Sequence, residues 1–404
     1  MERKFNNIIF FLVSFIILMV SGVFATIYGP ILIELSESFN ISLESIGLVF
    51  SLYSIGIVSG AILYVILDGV RINLKTRLNI FFMIILCSLA LMFIFSVRAL
   101  FMVCVFICSI CSINLQITCL IMVSDYSRKN QNLLITFSTF FIALGALLGS
   151  ILGPFIINCG LSYKFIFLII FIILLIVFIF SNVVKIYDNN KIKNFKLTKI
   201  NLSDLFKNFE KLIVILLGIN IFFLFSIEQL INQWLPSFLR ISKDLSINFA
   251  GNTLAFFWIF MTIGRFIFGI IAEKFDILKL SIFLCILLII TLIFIHISKE
   301  TILSFFLFGI SGFFLASLYP FSIGISTKYF QHRKNLIITY FLICGFLGSS
   351  FNNVIIIKVI EKIGINYFIP FILILGFILL SLYLFVFYLT KKSRKGKLKI
   401  QTVG

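Results

Sequence analysis

The stretch from Phe165 to Val184 holds no charged residue, and runs like it recur along the whole chain. About 20 apolar residues in a helix cross the ~30 Å hydrocarbon core of a bilayer. Such segments lie at 7–35, 46–67, 78–95, 99–124, 133–158, 163–184, 212–239, 249–272, 280–297, 301–326, 336–360 and 368–390. Each is expected to cross the membrane as a helix, because backbone amides in lipid must pair within their own segment or inside a closed barrel. Barrel strands alternate apolar and polar residues over about ten positions. Phe165-Ile166-Phe167-Leu168-Ile169-Ile170 does not alternate. The pattern predicts an all-α membrane protein with twelve transmembrane helices.

Composition removes the other classes. The chain is 61% hydrophobic and 12% charged, against about 45–50% and about 25% in soluble domains. Its 53 Phe exceed what one water-soluble core encloses, so much of the surface must face something other than water. The same numbers exclude intrinsic disorder. A net charge of +18 is what a nucleic-acid binder shows, but here the charges form short clusters between apolar runs. The expected partner is therefore the lipid bilayer and not nucleic acid. Cys108 and Cys111 form a C-x-x-C inside an apolar run, where cysteine reads as a small packing residue. His296 and His332 are far apart, and no Cys, His and carboxylate set has ligand spacing, so no metal and no cofactor are expected. The first run is too long for a signal-peptide core and ends in Pro30 and Glu34 without a small-residue cleavage site. It reads as a helix that stays in place.

Basic residues set the orientation. With the N-terminus inside, most of the 33 Lys and Arg fall on inner segments, among them Arg71, Lys75, Arg77, Arg128, Lys129 and the tail from Lys391. Both termini are expected in the cytoplasm of a cell whose inner membrane holds the chain. The one long hydrophilic stretch divides it into a six-helix bundle over 1–184, a cytoplasmic linker at 185–211, a second bundle over 212–390 and a basic tail at 391–404. A faint repeat at an offset of about 200 residues makes the bundles pseudo-symmetric. Gly145, Gly149 and Gly153-Pro154 of the fifth span correspond to Gly345, Gly348, Ser349 and Ser350 of the eleventh. Two parallel halves with a site between them near mid-membrane is a transporter plan.

Among the acidic residues only Glu228 sits well inside a span. A charge at that depth costs at least about 2.5–3.5 kcal/mol and usually faces a cavity. A dry surrounding favours the neutral form of a carboxyl, which suits it to loading and releasing a proton; the alternative is a structural, hydrogen-bonded Glu. Asn232 follows Glu228 by four residues and Gln233 follows Gln229 by four, giving two polar stripes on one helix. Trp234 adds an indole donor or an interfacial anchor, and Pro236 is expected to bend the helix. Such a surface suits a hydroxylated or zwitterionic solute. In the fourth span Asn114 and Thr118 share a face and Gln116 takes another; in the eleventh, Ser349 and Asn353 share a face with Asn352 beside it. These amides either line a site or hold helices together.

Gly264-Arg265-x-x-x-Gly269-x-x-x-Glu273-Lys274 resembles the loop signature of the major facilitator superfamily, in its second-half copy. The first-half copy keeps Gly60 and Asp68-Gly69, followed by Leu74-Lys75-Thr76-Arg77-Leu78. Glu228 with Trp234-Leu235-Pro236 and Leu239, then Ala250-Gly251-Asn252 and Phe257-Trp258 with Met261, is similar to the fucose:proton symporter branch, and within it to the TsgA-type proteins. The resemblance implies a cavity lined by spans 1, 4, 7 and 10, which promotes Asn114, Gln116, Glu228, Asn232 and Tyr319 as site residues. It implies a gating network around Arg265, with Gly264, Gly269, Glu273 and Asp68. The sugar symporters of that branch place acids in spans 1 and 4; here those spans offer Ser21, Thr26, Tyr28, Asn114 and Gln116. The expected activity is secondary transport of a small-molecule substrate by a monomer, coupled to a proton or another ion. The alternatives are an efflux antiporter of drugs or metabolites and a membrane-embedded enzyme. The enzyme is disfavoured because it would need a nucleophile–base pair or a metal set at membrane depth, and the sequence shows neither.

Overall fold

The structure, a computed structural model, describes residues 2–69, 72–126, 131–183, 209–298, 300–329 and 334–401. Most of the linker expected at 185–211, His332 and the Asp68 side chain lie outside the described residues. Among the described residues all regular structure is helical: α1 (Glu2–Thr26), α2 (Leu32–Ser38), α3 (Leu43–Gly69), α4 (Leu74–Ile94), α5 (Arg98–Tyr126), α6 (Gln131–Asn158), α7 (Lys164–Val183), α8 (Phe209–Ser242), α9 (Ile247–Ile271), α10 (Ile277–Ile297), α11 (Thr301–Leu315), α12 (Leu318–Tyr329), α13 (Lys334–Ile363) and α14 (Phe368–Gln401). Twelve stretches are long and apolar enough to cross a membrane, α11 and α12 counting together as one. Large apolar side chains point outward from them, Phe266 at 73% and Phe155 at 62% exposure, as lipid-facing positions require.

Proline explains where the helices depart from the sequence reading. The first span stops at Thr26, not at 35, and α2 follows a turn. Pro30 has no amide to offer the Thr26 carbonyl, so the ladder ends there. The tenth span breaks between Leu315 and Leu318, four residues before Pro320, for the same reason. Pro154 and Pro236 instead lie inside α6 and α8, and leave the carbonyls of Ser150 and Asn232 without helical partners. The tail expected from 391 continues α14 as helix to Gln401.

The chain forms two compact units. The first takes residues 1–196, 232–258 and 353–365; the second takes 197–231, 259–352 and 366–404. In the first unit α1 packs on α6 through glycine. A Cβ at Gly145 would meet the Met19 carbonyl, one at Gly149 would meet Thr26, and Thr26 Oγ1 donates to the Ala146 carbonyl at 2.9 Å. α3 packs on α5 in the same way, with Asn114 Nδ2 donating to the Gly60 carbonyl at 2.9 Å. Arg77 of α4 is buried, its guanidinium 4.5 Å from the Tyr64 ring centre. In the second unit α13 packs on α8: Gly345 faces the Phe225 ring, Gly348 faces the Phe222 carbonyl, and Asn352 Nδ2 donates to Ser226 Oγ at 2.9 Å. The repeat seen in sequence thus recurs as a packing arrangement, α6 on α1 and α13 on α8. Lipid supplies no hydrophobic drive between helices, so small residues that let backbones approach take that role.

Candidate functional site

Glu228 stands near the middle of α8, half-buried, in the second unit. Phe225, three residues earlier, shares its helix face and packs tilted against Tyr319 of α12 with ring centres 5.1 Å apart. α9 is pressed against the α11–α12 break. Ser317 Oγ donates to the Gly264 carbonyl at 3.4 Å, and a Cβ at Gly264 would lie 2.6 Å from the Phe313 carbonyl oxygen. Arg265 follows Gly264 and Tyr319 follows Ser317 by two, so these contacts bring Arg265, Tyr319 and Glu228 within electrostatic reach of one another. No two of the three touch. Arg265 is exposed, and its Nη2 meets only Met261 Sδ, at 3.8 Å. Glu228 and the Tyr319 hydroxyl have no hydrogen-bond or ion-pair partner among the described residues. A cation, a carboxyl and a phenol at membrane depth, each left open by the protein, form a set that a ligand can complete.

The remaining polar residues of α8 are engaged differently. Asn232 Nδ2 donates to the Ala25 carbonyl at 2.6 Å, and Asn232 Oδ1 accepts from Trp258 Nε1 at 3.0 Å. Asn353 Nδ2 donates to Gln233 Oε1 at 2.6 Å, while Asn353 Oδ1 accepts from Trp234 Nε1 at 3.0 Å. Trp234 is fully buried, packs edge-on to Phe50 at 5.5 Å and fills the space beside Gly47. All of these groups belong to the first unit. Gln229 is buried with Oε1 unpartnered. Asn114 is tied to the Gly60 and Ile110 carbonyls, and Gln116 is half-buried. Among the expected gating residues, Gly264 is a close-approach point, Gly269 faces open space, Glu273 is exposed, and the Asp68 side chain is outside the described residues. Arg265 makes no ion pair with Glu273; its electrostatic partner is Glu228.

Two pairings had no signal in the sequence reading. Arg240 at the end of α8 pairs with Glu34 of α2, Nη1 to Oε1 at 2.7 Å. Burial pushes the Glu34 carboxyl above the usual carboxylate range, Arg240 pulling the other way and Glu37 adding to the rise. Trp258 is the partner of Asn232, in a position where sequence spacing shows only another apolar residue of the eighth span. A charge pair between elements about 200 residues apart leaves no periodic trace.

The sequence profile described as Major Facilitator Superfamily matches residues 14–353. The chain belongs to that superfamily. A TsgA homolog of Buchnera aphidicola subsp. Baizongia pistaciae is 25% identical over 370 residues, covering 90% of this chain and 92% of the relative. TsgA of Shigella flexneri is 21% identical over 361 residues, covering 87% and 88%. Among solved structures, a mutant of the nucleoside transporter NupG superposes with a TM-score of 0.77 at 16% identity, covering 95% of this chain and 99% of that one. A D-xylose-proton symporter superposes at 0.76 with 14% identity, covering 94% and 97%. The likeness shows the fold, that of a multi-pass membrane transporter built from two pseudo-symmetric six-helix bundles.

Proposed function

We propose that the chain is a proton-coupled symporter of a small solute, and not an enzyme, working as a monomer in the inner membrane with both termini cytoplasmic. The bundles 1–184 and 212–390 rock about the linker and expose a central site alternately to each side. The observation that carries this reading is Glu228: a carboxyl inside a span, without a hydrogen-bond or ion-pair partner among the described residues, in the field of Arg265. A carboxylate so placed is costly unless protonated or matched, so its proton is taken up and released as access changes sides. Arg265 serves this site, while Gly264, Gly269 and Glu273 form its inner gate. Gln229, in the same unit and uncommitted among the described residues, supplies a further hydrogen bond to the solute. That one fold relative is a D-xylose-proton symporter and another a nucleoside transporter supports a small polar cargo.

The test is Glu228→Gln in proteoliposomes. Accumulation driven by a pH gradient is expected to vanish, whereas exchange of labelled for unlabelled solute across equal pH persists. Undiminished accumulation in the variant would remove Glu228 from the coupling role.

A further inference from the structure

We infer that the solute is a small monocarboxylate anion, received by the Arg265 guanidinium and carried together with the proton on Glu228. The inference rests on the proton-carrying role proposed for Glu228 and adds the chemistry of the cargo. Charge bookkeeping leads to it. With Glu228 ionised, its negative charge and the positive charge of Arg265 balance within one electrostatic neighbourhood, although they do not touch. Protonating Glu228 removes that balance and leaves Arg265, an always-charged group, unmatched at membrane depth. A neutral sugar or nucleoside would leave it so. One carboxylate restores neutrality, and a guanidinium presents the planar fork that receives a carboxylate through two parallel N–H bonds.

The geometry agrees. Arg265 is exposed and, among the described residues, its only close polar contact is a thioether sulfur, a weak acceptor that a carboxylate displaces without loss of a strong bond. Its backbone is fixed by the Gly264 contact with Phe313 and Ser317, so the side chain extends from a rigid base. The Tyr319 hydroxyl, on a ring packed against Phe225, is open to meet a hydroxyl or keto oxygen next to the carboxylate. Arg265 thus exchanges one counter-charge for another. In the empty carrier it is balanced by Glu228; in the loaded one it is balanced by the cargo, with Glu228 neutral. Both states have the same net charge. A carrier holding only the proton, or only the anion, would hold an unmatched charge within a span, which forces the two to travel together.

The inference makes transport electroneutral, and that separates it from proton symport of a neutral solute, which moves net charge. The experiment uses the purified full chain in proteoliposomes with lactate, pyruvate and gluconate as carboxylate probes, and xylose and uridine as neutral ones. At least one carboxylate is expected to accumulate under an inward proton gradient, with no acceleration by a potassium diffusion potential. Arg265→Gln is expected to lower its uptake at least about tenfold, and Arg265→Lys, which keeps the charge and loses the fork, to fall between. The melting temperature of each purified variant identifies a folding defect, and the Arg265→Lys result then decides. Failure of every carboxylate to be carried, equal uptake by Arg265→Gln and the native chain, or uptake driven by membrane potential overturns the assignment. The two proposals fail differently. Accumulation of xylose or uridine that Glu228→Gln abolishes would discard the carboxylate and keep the coupling. Carboxylate uptake that needs Arg265 yet still accumulates in Glu228→Gln would discard the coupling and keep the carboxylate.

Discussion

Asn232 uses both ends of its amide, one toward the Ala25 carbonyl and one toward the Trp258 indole. Replacing one partner leaves a buried polar group unmatched, at about 1–3 kcal/mol. Asn232→Leu and Trp258→Phe are each expected to lower the melting temperature in detergent. The double variant is expected to lose less than the sum of the two, because both remove the same bond; strict additivity would show that the pair is not coupled. The spacing of Glu228, Asn232, Gln229 and Gln233 revealed which face of the helix is polar, and that was legible. It did not reveal that Asn232, Gln233 and Trp234 have protein partners, while Glu228 has none among the described residues. Periodicity along one helix says where a side chain emerges and is silent on what stands opposite. Arg265 shows the same limit from the other direction: its motif suggests a gating network, and nothing along the helix shows that packing at Gly264 brings it within electrostatic reach of Glu228.

At the scale of elements, two glycines lie against carbonyls that prolines have released. A Cβ at Gly29 would sit 2.8 Å from the Asn232 carbonyl oxygen, and one at Gly251 would sit 2.7 Å from that of Ser150. Pro236 and Pro154 stand four residues further on and cannot donate to these oxygens. Cα–H to carbonyl contacts, each of modest strength, are what such a close approach allows. The prolines and glycines are plain in the sequence, but their pairing across elements is not. Gly29→Ala and Gly251→Ala are expected to cost about 1–3 kcal/mol each through forced separation, and to raise acrylamide quenching of the two Trp of the chain, both of which lie in the adjoining segment. Unchanged quenching in both variants would show that these contacts do not hold the segment. The neighbouring Glu34–Arg240 pair adds a pH dependence. Burial raises the Glu34 pKa relative to a solvated carboxyl, so the closed contact binds the proton more tightly than an opened one. Its stability is fully present below the ordinary carboxylate range and is lost as pH rises through the raised value. Quenching is therefore expected to fall on acidification through that window in the native chain and to stay flat in Glu34→Gln. A rise on acidification would mean that the attraction of Arg240 outweighs burial.

For the molecule as a whole, the number of spans and the helical class were readable because they depend on each segment's own length and apolarity, and on no partner. The breaks at 27–31 and 316–317 needed the prolines to be set against the hydrogen-bond ladder, which the sequence permits but composition alone does not. Orientation rests on a different physical signal, the preference of Lys and Arg for the cytoplasmic side. The helix that continues α14 to Gln401 carries Lys391, Lys392, Arg394, Lys395, Lys397 and Lys399, each worth about 1 kcal/mol of attraction near an anionic leaflet. If that end is cytoplasmic, an odd number of crossings separates it from the end of α6, which must then face outward. A native probe stands there: Cys159 is exposed, directly after α6, while Cys104, Cys108, Cys111, Cys119 and Cys285 are buried. Cys87 is exposed as well, but on the apolar span of α4, where a charged reagent does not reach. A membrane-impermeant maleimide is expected to label the native chain in intact spheroplasts and to lose that labelling in Cys159→Ser. A cysteine introduced as Val403→Cys in the Cys159→Ser background is expected to react only after permeabilisation. Labelling of position 403 from outside, with Cys159 protected until the membrane is opened, would invert the topology.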